Sequence, residues 1–194
     1  MGGNAIQGRA EVVDATPVEA LNSDSDARWG FRAKNRPFYG YKISVISDFK
    51  AELPIALEVS PANRHENKAF KPLVNAARKR ELKASRIGGD AIHGNYATRR
   101  FVKAIGARAF IDHNPRRSAR KKRTSKTYRR LKASVERIFS RAKKLLNLEN
   151  LRVRGLKSIT IHAYTVFTAM LAVAAAAHGK RLTKQLRCIR SIFR

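Results

Sequence analysis

The chain has 194 residues, 42 of them Lys or Arg against 14 Asp or Glu, and 43% of its side chains are apolar. That length suits one domain with a short tail, and the apolar share supports a buried core, which excludes wholesale disorder. A formal net charge of +28 excludes a routine enzyme of small neutral metabolites and calls for a polyanion, nucleic acid first and an anionic membrane surface second.

The N-terminal stretch MGGNAIQGRAEVVDATP has no basic start followed by an apolar run, so no secretory signal is expected. AEVVDATPV predicts a strand ending at Pro17. In YGYKISVISD, Tyr41, Ile43 and Val45 share one face, and in LPIALEVS so do Ile55, Leu57 and Val59, which is period-two strand behaviour. These three strands predict an antiparallel meander. The connecting segment 24–40 reads as a loop, with Trp29 and Phe31 as its hydrophobic anchors in preference to base-stacking groups. Phe70, Leu73, Val74 and Ala77 then switch to helical spacing, with Pro72 expected in the first turn. SRIGGD is a short strand stopping at a glycine pair, and Asn95 caps a helix carrying Phe101, Val102 and Ile105, closed by Gly106. ARAFID is a further strand, ended by His113-Asn114-Pro115, with Asp112 as a strand-end turn residue.

The clearest helix carries Leu131, Val135, Ile138, Ala142 and Leu145 at offsets 0, 4, 7, 11 and 14. The last helix holds an uncharged stretch, Ile159 to Ala177, long enough to cross a bilayer. Its Thr160, His162, Tyr164, Thr165 and Thr168 and its alanine-rich end favour a half-buried helix of a soluble domain, with no membrane partner. The order of strands followed by alternating helices and strands implies an α/β fold, a mixed sheet with helices on its faces. One cysteine, Cys188, excludes a disulfide framework or a multi-cysteine zinc site and fits a reducing compartment.

Charge is unevenly placed. Residues 1–70 hold nine basic and nine acidic side chains, whereas residues 71–194 hold 33 basic and five acidic ones. The densest run, Asn114 to Arg130, contains Arg116, Arg117, Arg120, Lys121, Lys122, Arg123, Arg129 and Arg130 with no carboxylate. Like charges at this density repel, so the run reads as a loop that phosphates neutralise. The five acids of the basic part are Glu81, Asp90, Asp112, Glu136 and Glu149. Asp90 follows Gly88-Gly89 at a strand's C-terminal end, a usual place for functional groups in α/β sheets, and no Walker-type lysine makes that glycine pair a phosphate loop. Glu136 lies beside the apolar stripe of its helix, and Asp14 sits inside a strand, where aspartate is a poor strand former. A strand, a strand end and a helix can bring these three acids to one sheet edge, where hard oxygens hold Mg²⁺ or Mn²⁺ for phosphodiester chemistry. Three separate surface acids paired with abundant cations are the competing reading.

The segments VVDATPVEA, FYGYKISVISDFKAELPIALEVSPANRHENKAF, GGDAIHGNYATRRFVKAIGARAFIDHNPR and KASVERIFSRAKKLLNLENLRVRG resemble, in this order, the catalytic domain of insertion-sequence DDE transposases. The resemblance spans about Glu11 to Gly179 and implies an RNase H-like fold over 1–179, with 180–194 as a basic tail. It implies that Asp14, Asp90 and Glu136 are the catalytic acids and hold two Mg²⁺ or Mn²⁺ ions, with no other cofactor. It also implies DNA cleavage at transposon ends and transfer of the 3′-hydroxyl into target DNA, by a homodimer on cytoplasmic, nucleoid-associated DNA. The expected DNA-binding set is the basic run together with Lys132, Arg137 and Lys143. Lys132 stands where relatives carry arginine and keeps the charge without the bidentate fork; Tyr128 is one place off the family's tyrosine spacing, and Asp90 is followed by Ala91-Ile92-His93 where many relatives have glycine and tyrosine. Relatives carry a DNA-recognition region before the first acid, so a separate N-terminal polypeptide from a split reading frame, or a truncated remnant, is expected. A basic nucleic-acid-binding protein without catalysis is the alternative function. His65 and Glu66 read as turn and capping residues in preference to groups approaching the metal site, His93 as either a neighbour of Asp90 or an exposed loop residue. His113, His162 and His178 have no ligand spacing.

Overall fold

A computed structural model describes residues 9–32, 36–112 and 125–189. Six strands run Ala10–Glu19 (β1), Arg28–Phe31 (β2), Pro37–Asp48 (β3), Pro54–Pro61 (β4), Arg86–Gly89 (β5) and Arg108–Ile111 (β6). Among the described residues four α-helices span Asn67–Lys79 (α1), Tyr96–Ala104 (α2), Lys126–Leu146 (α3) and Leu156–Gly179 (α4). The sheet order is β2-β3-β1-β5-β6, with β4 also on β3. β3 is antiparallel to β1, β2 and β4, while β5 and β6 run parallel to β1. The meander of β1, β3 and β4 therefore stands as expected, and the mixed sheet with helices on both faces is the expected α/β architecture.

Strand alternation divides the core into two layers. On one face Val12, Val18, Ile43 and Val45 pack against Leu131, Val135 and Ile138 of α3 and Ile159, Ala163 and Phe167 of α4. On the other, Val13, Ile46 and Ile87 pack against Phe70, Leu73 and Val74 of α1 and Val102 of α2. Truncating a buried leucine such as Leu131 in this packing costs about 2–5 kcal/mol. α4 is long and apolar enough to cross a membrane by length and composition. Here it lies on the sheet, with Ile159, Ala163, Val166, Phe167, Met170, Ala174 and Ala177 buried.

Three local expectations are corrected. β1 continues past Pro17 to Glu19. Beyond Val13 the β5 side of β1 has no strand partner among the described residues, so a missing proline N–H directed there forfeits no ladder bond within them. α1 starts at Asn67, which puts Pro72 in its second turn. Pro72 is exposed, so the Lys68 carbonyl that lacks an N–H partner there can turn to water. The segment 24–40 contains β2, a strand paired with β3, and Trp29 and Phe31 are 65% and 66% exposed, so they anchor nothing in the core. Only four residues long and interrupted by Gly30, β2 carries no recognisable alternation.

The chain after α4 folds back on the domain. Ile189 is buried against the α3–α4 layer, and Arg187 reaches Glu52 at 2.9 Å. Glu52, only 4% exposed at its side chain, is also held by Arg137 and Arg141 of α3. Burial works against its charged form, but the Arg137 hydrogen bond and the three guanidinium charges outweigh that and hold its carboxyl below the usual range.

Candidate active site

β1 and β5 are parallel neighbours in the register Val12↔Gly88 and Val13↔Gly89, and Asp14 and Asp90 are the next residue on each chain. The two aspartates thus leave adjacent strands side by side, on the face covered by α3. A Cβ on Gly88 would come within 3.1 Å of Leu131 Cδ1, so the glycine lets α3 lie close against β5. α3 is started by Ser125, whose hydroxyl accepts the Tyr128 N–H at 3.1 Å, and its apolar stripe fixes the helix rotation. A small cleft results, in which Asp14, Asp90, Tyr128 and Lys132 meet.

The two acids are treated differently. Asp90 caps a 3₁₀ turn at Ala91–His93, its Oδ1 accepting the Ala91 N–H at 2.8 Å and the Tyr128 hydroxyl at 3.0 Å. Lys132 Nζ lies 3.5 Å from the same oxygen. Burial opposes the charge on Asp90, yet the Ala91 amide, the Lys132 ammonium and the Tyr128 hydroxyl together hold its carboxyl below the usual range. Among the described residues Asp14 accepts in the same way only the Ala15 N–H, at 2.9 Å. Burial first, then the charges of Asp90 and Glu66, push Asp14 from 3.8 to about 7 against the pull of the Ala15 amide and Lys132. Burial and the Asp90 charge raise the Tyr128 phenol as well, so that group stays a hydrogen-bond donor.

Glu136 lies one turn beyond Lys132 on α3, beside Val135 of the cleft wall, with its side chain exposed. Among the described residues no three His, Cys, Asp or Glu side chains are gathered closely enough to hold a metal. The structure therefore brings Asp14 and Asp90 together and leaves Glu136 out of the cleft lining. The donor chemistry nonetheless suits a divalent cation. Two hard carboxylates stand on neighbouring strands, their mutual repulsion helps lift Asp14 to about 7, and a lysine ammonium already sits against one of them.

The basic residues divide into three groups. Arg129 and Arg130 are exposed on the first turns of α3, and Lys132 is at the cleft. Arg137 donates through Nε to Glu52 at 2.9 Å, and Lys143 pairs with Glu149, so both are engaged by acids of the protein itself. Arg116, Arg117, Arg120, Lys121, Lys122 and Arg123 lie outside the described residues, as does His113.

The histidine readings resolve as well. His93 is 2% exposed, bonded to Asn67 Oδ1 at 2.9 Å and tilted against Phe70, and burial lowers it to about 4. It is a neutral structural group, which corrects the exposed-loop alternative. His65 Nδ1 accepts the Asn67 N–H at 3.3 Å, a turn role as expected. Glu66 precedes α1 without capping it and instead meets Lys42 Nζ at 3.3 Å. Tyr128 reaches Asp90 although it is displaced from the family spacing, and no local signal in the sequence marks that contact.

The solved catalytic core domain of BIV integrase is similar in fold, with 11% identity and a TM-score of 0.52 over 84% of each chain. That likeness supports the RNase H-like architecture. No curated protein sequence matches the chain. The family described as "Transposase DDE domain" matches residues 7–172, most of the length. With that match over a sheet that sets two aspartates side by side, the chain belongs to the DDE transposase-domain family.

Proposed function

We propose that this protein is the catalytic part of a transposase that cuts DNA at transposon ends and joins the freed 3′-hydroxyl to target DNA. The observation that carries this reading is the pairing of Asp14 and Asp90 on adjacent parallel strands, under a helix that brings Lys132 to the same cleft. Asp14 and Asp90, with Glu136 turned toward them, would hold two Mg²⁺ or Mn²⁺ ions. When bound, such ions supply Lewis-acid stabilisation of the attacking and departing oxygens of a phosphodiester.

The remaining roles belong to the chain's own residues. Tyr128 fixes the Asp90 carboxylate by donating its hydroxyl proton, so the acid keeps one orientation. Lys132 brings positive charge from α3 to the phosphate, and Arg129 and Arg130 extend that charge along the helix. In the first step water displaces a 3′-oxygen from phosphorus, leaving a 3′-hydroxyl and a 5′-phosphate. In the second that hydroxyl attacks a target phosphodiester and displaces its 3′-oxygen, with no covalent protein–DNA bond. Joining two ends calls for two copies on DNA, acting in the cytoplasm on the nucleoid.

The test is strand cleavage of an end-bearing duplex in Mg²⁺, comparing wild type with Asp90→Ala and Glu136→Gln. Loss of cleavage in both with DNA binding kept supports the assignment. Cleavage by Asp90→Ala at the wild-type rate ends it, and loss in Asp90→Ala alone removes Glu136 from the site.

A further inference from the structure

We propose that Trp29 and Phe31 form a stacking platform for unpaired DNA bases, an inference that rests on the DNA-acting reading above. The two rings occupy alternate positions of β2 and so share one face, 65% and 66% exposed. Large aromatic side chains left this exposed on a strand need a reason, since the core gains nothing from them.

The platform is rigid. β2 is paired residue by residue with β3, Trp29 opposite Tyr39 and Phe31 opposite Pro37. Between the two aromatics, Gly30 is pressed onto the segment after β4, where a Cβ would come within 2.6 Å of the Ala62 carbonyl oxygen. The Trp29 ring stands 5.5 Å from Tyr39, and the Tyr39 hydroxyl is tied to the Asp24 carbonyl at 2.6 Å. Rings fixed in this way lose little freedom when a base stacks on them.

Placement and charge favour a nucleic acid. Tyr39 and Val45 are six residues apart on β3, Val45 is opposite Asp14, and Tyr39 packs on the α3–α4 side, so the platform and the paired aspartates share one face of the sheet. At about 3.4 Å per residue the separation along β3 is roughly 20 Å, comparable to about six stacked nucleotides of one strand. Arg28 in β2 and Arg32 just after it alternate with the aromatics and so stand on the opposite face of this edge strand, and with Arg36 they are exposed. Arg32 lies over the Phe38 ring and pairs with Glu19, itself 63% exposed, and an ion pair in that setting is weak enough for a phosphate to share the guanidinium. Aromatic faces on a strongly basic chain, set on the same sheet face as the paired aspartates, are what single-stranded DNA recognition uses.

Trp29 is the chain's one tryptophan, so its emission reports the platform directly. The experiment titrates the full chain with a labelled oligothymidylate and with a duplex of equal length, reading anisotropy for binding and Trp29 fluorescence for stacking. Strong quenching by the single strand, with Phe31→Ala weakening its binding about tenfold while duplex binding changes less than twofold, supports the platform. Oligonucleotide bound with unchanged Trp29 emission overturns it while leaving DNA binding intact. Absence of any DNA binding overturns the DNA-acting reading and the platform with it. Emission that shifts with protein concentration before DNA is added makes the patch a contact between copies and overturns the proposal.

Discussion

Glu11→Gln is expected to flatten the dependence of folding stability on pH. Glu11 lies in β1 on the α1 face, 1% exposed, and its Oε1 has no hydrogen-bond partner among the described residues. Burial, then the charge of Asp48, outweighs the attraction of Arg78 and raises its carboxyl from 4.5 to about 8. The folded protein therefore keeps this proton to about pH 8, whereas the unfolded chain releases it near pH 4.5. Between those values the unfolded state binds fewer protons, so stability is fullest below pH 4.5 and is lost as pH rises through about 8. At about 1.4 kcal/mol per pH unit, the window amounts to a loss on the order of 5 kcal/mol. Asp14, raised from 3.8 to about 7, acts in the same direction over an overlapping range. Glutamine mimics the protonated carboxyl and does not titrate, so the variant's slope is expected to be shallower by about 1.4 kcal/mol per pH unit between pH 5 and 7.5. Urea unfolding followed by far-UV circular dichroism, at fixed ionic strength and in EDTA, measures both slopes. Parallel pH profiles for wild type and variant would refute the reasoning.

Other consequences follow from contacts already described. Glu52→Gln leaves Arg137, Arg141 and Arg187 without their carboxylate and should destabilise by roughly 3 kcal/mol, read as a lower urea midpoint. Gly88→Ala places a methyl group 3.1 Å from Leu131 Cδ1 and should cost about 1–3 kcal/mol while lowering strand cleavage, because α3 and its Lys132 are displaced. DNA affinity should fall at least a thousandfold on raising salt from about 50 to 200 mM, as expected for six or more phosphate contacts, and a flat salt dependence in a filter-binding assay would contradict a charge-driven interface.

Most of the architecture was legible because burial follows periodicity. The stripe of Leu131, Val135, Ile138 and Ala142 became the buried face of α3, Asn95 became the cap of α2 through its bond to the Thr98 N–H, and Tyr41, Ile43 and Val45 of β3 with Leu57 and Val59 of β4 became one core layer. Ile55, expected on the same face, packs in the other layer because the β3–β4 register shifts at Ile46/Ser47. β2 was not legible, because a four-residue edge strand with exposed aromatics has no inward-facing pattern to read. Of the site, Asp14 and Asp90 stood out as acids at strand positions, and parallel register then set them together. Contacts across the sheet and between elements carry no local signature. Nothing near Glu52 announces Arg137, Arg141 and Arg187, which lie on the distant α3 and after α4. Likewise Lys143 and Arg137, expected in the DNA-binding set, meet Glu149 and Glu52 in the folded chain, contacts that no local pattern announces.

The claim on which the functional account turns is that Asp14 and Asp90 act as one divalent-cation site. Electron paramagnetic resonance of Mn²⁺ titrated into the protein with a duplex oligonucleotide measures it, comparing wild type with Asp14→Asn and Asp90→Asn. The account predicts bound Mn²⁺ in the wild type and an affinity at least about tenfold weaker in each variant. Equal Mn²⁺ binding by all three proteins would contradict it.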